Sequence, residues 1–320
     1  MEEGERIHPG VNPDWMSGLP EGLLDVPLWN LAIPGSHDSM SFCLDVSSPV
    51  LKSEPRPLRM VDRLCPCWTR PCVSRWATTQ ESVLNDQCDL GIRFFDLRIA
   101  RKPGGGSKLF FAHGIYTVIT VKEALAELAT WLDTHPKEIV IISCSHFESL
   151  TDGDHSNLVD FIITLFESKL CPSKDIPTLS SCWSKGQQVI VSYDDQEMIL
   201  KHPELWPGIT YWYADSPDPK KVIAYLEEQK SKGRPDGFYV SGLNLTEDAP
   251  YIFFHPLQTM KKMTMHALSL LLQWASKQQP GGTEVGGVNI LCCDFVDISQ
   301  FCSVVISLNY KLLDRRFIQR

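Results

Sequence analysis

The chain has 320 residues, 43% of them apolar and 22% charged, enough to bury a sizeable core as one compact domain. Its 39 acidic and 30 basic side chains leave a net charge of −9, which, with no long Lys/Arg run or RNA-binding signature, argues against a nucleic-acid partner. Eleven cysteines, an odd number in a chain this long, argue for free thiols rather than a disulfide framework.

Residues 1–13 are acidic and rich in Pro and Gly, without the apolar core of a secretory signal, so a flexible segment is expected ahead of one domain over 14–320. The first strand-like run, VPLWNLAI, leads into IPGSHDS, where His37 and Asp38 stand among small hydroxyl residues at a strand end. The segment 47–79, rich in Pro, Cys and Trp, breaks the rhythm and is expected as a loop or insertion over one rim; its Cys65, Cys67 and Cys72 lack the paired C-x2-C arms of a zinc site. In GIRFFDLRIA, alternation puts Phe94, Asp96 and Arg98 on one side and Phe95, Leu97 and Ile99 on the other. KLFFAHG ends on His113. The run VKEALAELATWLDTH predicts a helix, with Val121, Ala124, Leu125, Leu128 and Leu132 on one face, a capping box from Thr120 and Glu123, and Pro136 beyond its end.

Farther on, EIVIISCSH ends on Ser145 and His146, QQVIVSY on Tyr193, and VNILCCDFV carries Asp294; GFYVSGLNL is a further strand. WPGITYWYADS, with Tyr213, is expected to supply aromatic or polar contacts from another strand end. Helices are expected over 157–168, 219–230, 257–276 and 300–313. The βα alternation predicts a parallel sheet with covering helices, and seven or eight such strands close most simply into a barrel. No stretch reaches the roughly 18 to 20 apolar residues of a spanning helix, and the chain is expected in the cytoplasm.

A strand-end histidine taken alone is more often structural, Asp96 with Arg98 could be a neutralised interior pair, and Tyr193 could be a lid on the core. Convergence argues otherwise, because two histidines, several carboxylates and an arginine all fall at carboxyl ends of strands, the rim where barrel sites assemble. Such a set suits attack on a phosphodiester by a neighbouring hydroxyl: one imidazole accepts a proton, the other donates one, and a fixed cation holds the charge on phosphate oxygens.

In this order, IPGSHDS, GIRFFDLRI and FAHG resemble the X domain of phosphatidylinositol-specific phospholipases C, in the small eukaryotic form with little beyond that domain, over about residues 14–313. The resemblance implies a distorted or incomplete TIM-like (β/α) barrel and cleavage of phosphatidylinositol to diacylglycerol and inositol phosphate through a cyclic 1,2-phosphate. It makes His37 the general base, Asp294 the carboxylate that orients it, His113 the general acid, Asp38 its partner and Arg98 the phosphate ligand. Asp96, Ser145, His146, Tyr193 and Tyr213 are expected to bind substrate. Arg98 stands where calcium-dependent animal members carry an acidic ligand, so a reaction without calcium or other cofactor is expected. Ser145 and Ser192 replace charged headgroup-binding residues of the family, which leaves a phosphoinositide-binding module with little turnover as one rival and a metal-dependent glycerophosphodiesterase as another. A lipid substrate implies transient peripheral contact with a membrane, and the expected apolar rim is the region of Trp68 and Trp76, since no lipidation motif is present.

Overall fold

The apolar runs fold as strands and the periodic runs as helices in a computed structural model that describes residues 10–247 and 258–313. The strands are β1 (Ile33–Ser36), β2 (Phe94–Ala100), β3 (Phe110–His113), β4 (Ile115–Thr120), β5 (Val140–Glu148), β6 (Val189–Tyr193), β7 (Leu205–Trp206), β8 (Thr210–Trp212), β9 (Tyr239–Gly242) and β10 (Ile290–Cys293). The helices are α1 (Arg56–Leu64), α2 (Pro66–Ala77), α3 (Leu84–Leu90), α4 (Val121–Thr134), α5 (Asp152–Phe166), α6 (Leu179–Lys185), α7 (Gln196–Lys201), α8 (Pro219–Lys232), α9 (Met260–Ser276) and α10 (Phe301–Leu308). Among these, no helix is long and apolar enough to cross a membrane.

Eight strands run parallel in the order β7-β6-β5-β2-β1-β10-β9-β8. The first and last strands of the chain are therefore neighbours, as in a barrel, but β7 and β8 do not pair among the described residues and leave a seam. The fold is a single-domain, incomplete (β/α) barrel, as expected. Helices cover the parallel sheet, so its central strands are buried on both faces: Val140–Cys144 and all of β6 lie in the core.

Local chemistry explains the boundaries. The Thr120 side chain accepts from the Glu123 amide, and the Glu123 carboxylate accepts from the Thr120 amide at 2.8 Å, so α4 starts where its capping box predicts. VPLWNLAI is strand only at its last residue. Leu28–Asn30 makes a 3-10 turn after Pro27, and the first strand begins at Ile33. The β-branched run Ile115–Thr120 forms a hairpin strand that the expectation omitted; Gly114, at φ 69°, makes the tight turn from β3. The segment 47–79, expected as a loop or insertion, contains two helices, α1 and α2. At the other end of the chain, the Asn12 amide donates to Asp89 O (2.7 Å) and its side chain to Leu90 O (3.0 Å), tying residue 12 to α3; residues 1–9 of the segment read as flexible lie outside the described residues.

One buried ion pair ties the start of the domain to the sheet. Arg93 and Glu138 are fully buried, and Arg93 Nη2 lies 2.7 Å from Glu138 Oε2. The guanidinium also donates to the carbonyls of Cys88 and Ile92 and faces the Trp131 ring at 4.9 Å, while Glu138 accepts from the amides of Met16 and Ser17. Both charges are thus compensated by hydrogen bonds as well as by each other. Glu138→Ala would strand the guanidinium and two backbone donors, and is expected to destabilise the protein by about 3–5 kcal/mol, read as a lower urea midpoint at unchanged slope. A loss under about 1 kcal/mol would show that the pair does not tie these segments together.

Candidate active site

The carboxyl ends of the strands bring the polar residues together. His37 follows β1, Asp96 and Arg98 sit two residues apart in β2, His113 ends β3, and Asp294 follows β10. His37 Nδ1 lies 2.8 Å from Asp294 Oδ1; a carboxylate only accepts, so Nδ1 carries the hydrogen. His37 Nε2 then lies 2.9 Å from Arg98 Nη2, which can only donate, and 3.2 Å from Asp38 Oδ2, which can only accept. Both protonation states of that nitrogen have a partner, as a proton-exchanging group requires.

His113 is arranged in parallel. Its Nδ1 donates to the carbonyl of Ala77 (2.7 Å), leaving Nε2 to face Asp38 Oδ2 at 3.3 Å. The two imidazole rings are 6.1 Å apart, and both Nε2 atoms converge on one Asp38 oxygen. Arg98 backs this carboxylate, with Nε 2.7 Å from Asp38 Oδ1 and Nη2 3.5 Å from Asp96 Oδ2. Asp96 also accepts from the Asp38 amide (3.3 Å). Despite these ion pairs, neither Asp38 oxygen nor Arg98 Nε has an aligned hydrogen bond among the described residues, so capacity for a ligand is left over.

His37, Asp38 and Asp96 each offer a ligand atom within 4.8 Å of the others, a grouping that could hold a metal ion. The guanidinium of Arg98, however, lies within 3.5 Å of all three side chains. A divalent ion in that position would meet a fixed positive charge.

Burial opposes charge on every member of this set, and the neighbours decide the outcome. Burial alone would raise Asp38, but Arg98 and the two imidazoles outweigh it and hold the carboxyl below its usual value. For His37, burial is outweighed by Asp38 and Asp294, and the pKa is raised. For His113, burial prevails over Asp38 and the pKa is lowered. Asp294, wholly buried, is raised by burial despite His37. Three residues at this rim, Asp38 (φ 43°), His146 (φ 49°) and Phe295 (φ 50°), hold left-handed backbone without being glycine, strain of a kind that gathers at functional sites.

The groups open on a cavity of about 320 Å³ lined by the two imidazoles, Arg98, His146, Tyr211, Tyr213 and Glu247, with Leu245, Thr246 and Met260. Of the expected substrate-binding residues, His146 and Tyr213 line it, and Asp96 lies beneath Arg98. Ser145 sits in register with Arg98 on the next strand, and its hydroxyl pairs with His146 Nδ1 at 2.8 Å. Tyr193 does not reach the cavity. The row Asp96, Ser143, Ser192 runs across three strands on one face, so Tyr193, one residue on, points to the helix layer, where its hydroxyl meets His155 Nδ1 at 2.8 Å. His146 escapes the same parity because its left-handed backbone and the bulge between Arg98 and Ala100 re-aim it. Trp76 is likewise no rim residue: it is 4% exposed, whereas Trp68 is 66% exposed.

Other residues of the site carry no motif. The Thr79 hydroxyl and Gln80 amide donate to the His37 carbonyl (3.0 Å each), and Gln80 also to Cys293 O (2.9 Å), fastening the loop that presents the imidazole. Tyr211 donates to Asn244 Oδ1 (2.9 Å) and places its ring 6.3 Å from His37. A Cβ at Gly242 would lie 2.6 Å from Tyr211 Cε1, so a glycine is needed there. Burial and the Asp294 carboxylate push Glu247 up to about 7. Alternation in TYWYA places Tyr211 on the same face as the expected Tyr213, a signal that could have found it as well; no comparable pattern marks Glu247 or Gln80.

No family model matches the chain. Curated relatives do: "PI-PLC X domain-containing protein 1" of Danio rerio is 50% identical over 299 residues, 92% of this chain and 96% of the relative. Its counterpart from Homo sapiens is 45% identical over 311 residues, 96% of each. Among solved structures, the phosphatidylinositol-specific phospholipase C from Listeria monocytogenes is similar with a TM-score of 0.64 at 19% identity, covering 94% of this chain and 99% of that one. The Staphylococcus aureus enzyme gives 0.62 at 17%, covering 93% and 97%. The structural likeness fixes the barrel, and identity along nearly the whole length of the curated relatives fixes the family: the chain belongs to the PI-PLC X domain-containing proteins.

Proposed function

We propose that the protein is a phosphodiesterase of the phospholipase C type, acting in transient contact with a membrane surface on phosphatidylinositol to release diacylglycerol and an inositol phosphate. The observation that carries this reading is the pair of imidazoles 6.1 Å apart, sharing one Asp38 oxygen and opening with the Arg98 guanidinium on one cavity. His37 Nε2 accepts the proton of the inositol 2-hydroxyl as its oxygen attacks phosphorus. Arg98 holds the non-bridging oxygens, where negative charge gathers. His113 Nε2 gives its proton to the glycerol oxygen as the phosphorus–oxygen bond breaks, which frees diacylglycerol and leaves the 1,2-cyclic phosphate. Water then opens the cyclic ester with the two rings in exchanged roles. Asp294 fixes the tautomer of His37, and Asp38 stabilises the imidazolium of His113.

No cofactor enters this scheme, because the place where His37, Asp38 and Asp96 could gather a metal ion is taken by Arg98. That argument weighs against the metal-dependent glycerophosphodiesterase. A binding module with little turnover draws support from Ser145, which carries no charge where a headgroup ligand is expected. Release of water-soluble inositol products from phosphatidylinositol by the purified protein decides between catalysis and binding alone.

His37→Ala and His113→Ala are each expected to lower turnover by about 10² to 10⁴, and Arg98→Ala by about 10² to 10³; a near-native rate in any of them contradicts the assigned role. The pH dependence follows from the opposite shifts of the two rings. With His113 lowered and His37 raised from the ordinary imidazole value of about 6.5, kcat/KM should be bell-shaped, with an acid limb below that pH and an alkaline limb above it. Under the acid limb both rings are protonated and no base remains; beyond the alkaline limb both are neutral and no acid remains. A rate that only climbs with pH would rule out paired imidazoles.

A further inference from the structure

The cavity that takes the reacting phosphate has a second polar end. Besides the imidazoles and Arg98, it is lined by Tyr211, Tyr213, Thr246 and Glu247, the last two on the chain beyond β9. Glu247 is half-buried and close enough to His37 and Asp294 for both charges to act on it, which sets it on the His37 side of the cavity. Burial and Asp294 hold its pKa at about 7, and no lysine or arginine offsets them among the described residues. A carboxyl kept near neutrality in a cleft, with no part in moving the reaction's protons, is a group still without a task.

The charges around it say what it can hold. Arg98 is the permanent cation of the described lining, and Asp38 and Asp96 already engage it. Burial and Arg98 lower His146, so this imidazole is neutral at physiological pH. Burial raises the Tyr211 and Tyr213 phenols, which keeps both uncharged. Beyond the place of the reacting phosphate, the described lining therefore offers hydroxyls, an imidazole and a carboxyl, and no further lysine or arginine. A polyol suits such a surface, since each of its hydroxyls both donates and accepts. A second phosphate does not: it would surrender its hydration beside Glu247 with no cation to receive it.

We infer that Glu247 is the specificity-determining residue of the headgroup end: its carboxylate accepts a hydrogen bond from the inositol hydroxyl on C3, next to the one that His37 deprotonates, and excludes rings phosphorylated there. This rests on the phosphodiesterase reading, which puts O2 at His37 Nε2 and O1 on phosphorus, so that C3 is the next ring position on the His37 side. The contact is made before and during reaction alike, and so contributes to substrate binding rather than to the chemical step. Glu247 is thus a binding residue and not a third acid or base.

The test sets Glu247→Ala and Glu247→Lys in the full chain against wild type, on phosphatidylinositol, its 3-deoxy analogue and phosphatidylinositol 3-phosphate in detergent micelles. Wild type should favour phosphatidylinositol over the 3-phosphate by at least about a hundredfold in kcat/KM. Glu247→Ala should raise KM for phosphatidylinositol about tenfold with kcat within about twofold, a split that loss of structure would not give. Removing the 3-hydroxyl should cost wild type about tenfold and Glu247→Ala almost nothing, because its partner is already gone. Glu247→Lys, which supplies the missing cation, should narrow the preference against the 3-phosphate by at least about tenfold. Equal losses on the 3-deoxy lipid in wild type and Glu247→Ala, or an unchanged phosphate preference in Glu247→Lys, refute the role of Glu247 and leave the phosphodiesterase reading in place. Calorimetric binding of inositol 1-phosphate and inositol 1,3-bisphosphate separates the two claims. If no form turns over any lipid, while wild type binds the monophosphate more tightly and Glu247→Lys the bisphosphate, the phosphodiesterase reading falls and the role of Glu247 stands. If wild type neither turns over lipid nor binds either inositol phosphate, both fall.

Discussion

The arrangement turns on one cation that has nowhere else to go. Arg98 projects from the last half of β2 into a space bounded by Asp38, Asp96 and His37, within 3.5 Å of each. Remove it, and buried carboxylates face one another with little to offset their repulsion and desolvation. Remove them, and a guanidinium stands in a largely buried pocket without a counter-charge. Each charge is therefore a condition for the others, and the cluster holds two histidines in different protonation preferences although they share the same Asp38 oxygen.

That difference has a geometric origin. His37 faces a second carboxylate, Asp294, whereas the other nitrogen of His113 faces only the Ala77 carbonyl. A full negative charge outweighs burial for the first ring, and a neutral dipole does not for the second. In the free protein the proposed base is thus the more basic ring, so the reactive combination is a minority protonation state. A phosphodiester anion entering between the rings would favour protonation of both while engaging Arg98.

How much of this could be read in advance depends on which physical rule governed each residue. Strand ends and alternation brought His37, Asp38, Asp96, Arg98, His113 and Asp294 to one rim, because a parallel barrel leaves its carboxyl ends open. The α4 helix was legible to its cap, since both halves of the capping box lie within four residues. Tyr193 was misplaced because facing depends on register with neighbouring strands, which one strand's sequence does not contain. Glu247, Gln80 and the Arg93–Glu138 pair depend on loops or on contacts across distant parts of the chain. The helices of 47–79 escaped notice because their outward face is apolar and basic, which inverts the pattern of a helix packed on a core.

The central claim is that a guanidinium does the work of a metal in a cavity it shares with two imidazoles. It is tested most directly by time-resolved phosphorus NMR of the purified protein with phosphatidylinositol in detergent micelles and excess chelator. The account predicts that the cyclic phosphate resonance appears first and gives way to the monoester at a rate that restoring divalent ions does not change. Monoester forming with no cyclic precursor, or product appearing only after divalent ions are returned, would contradict it.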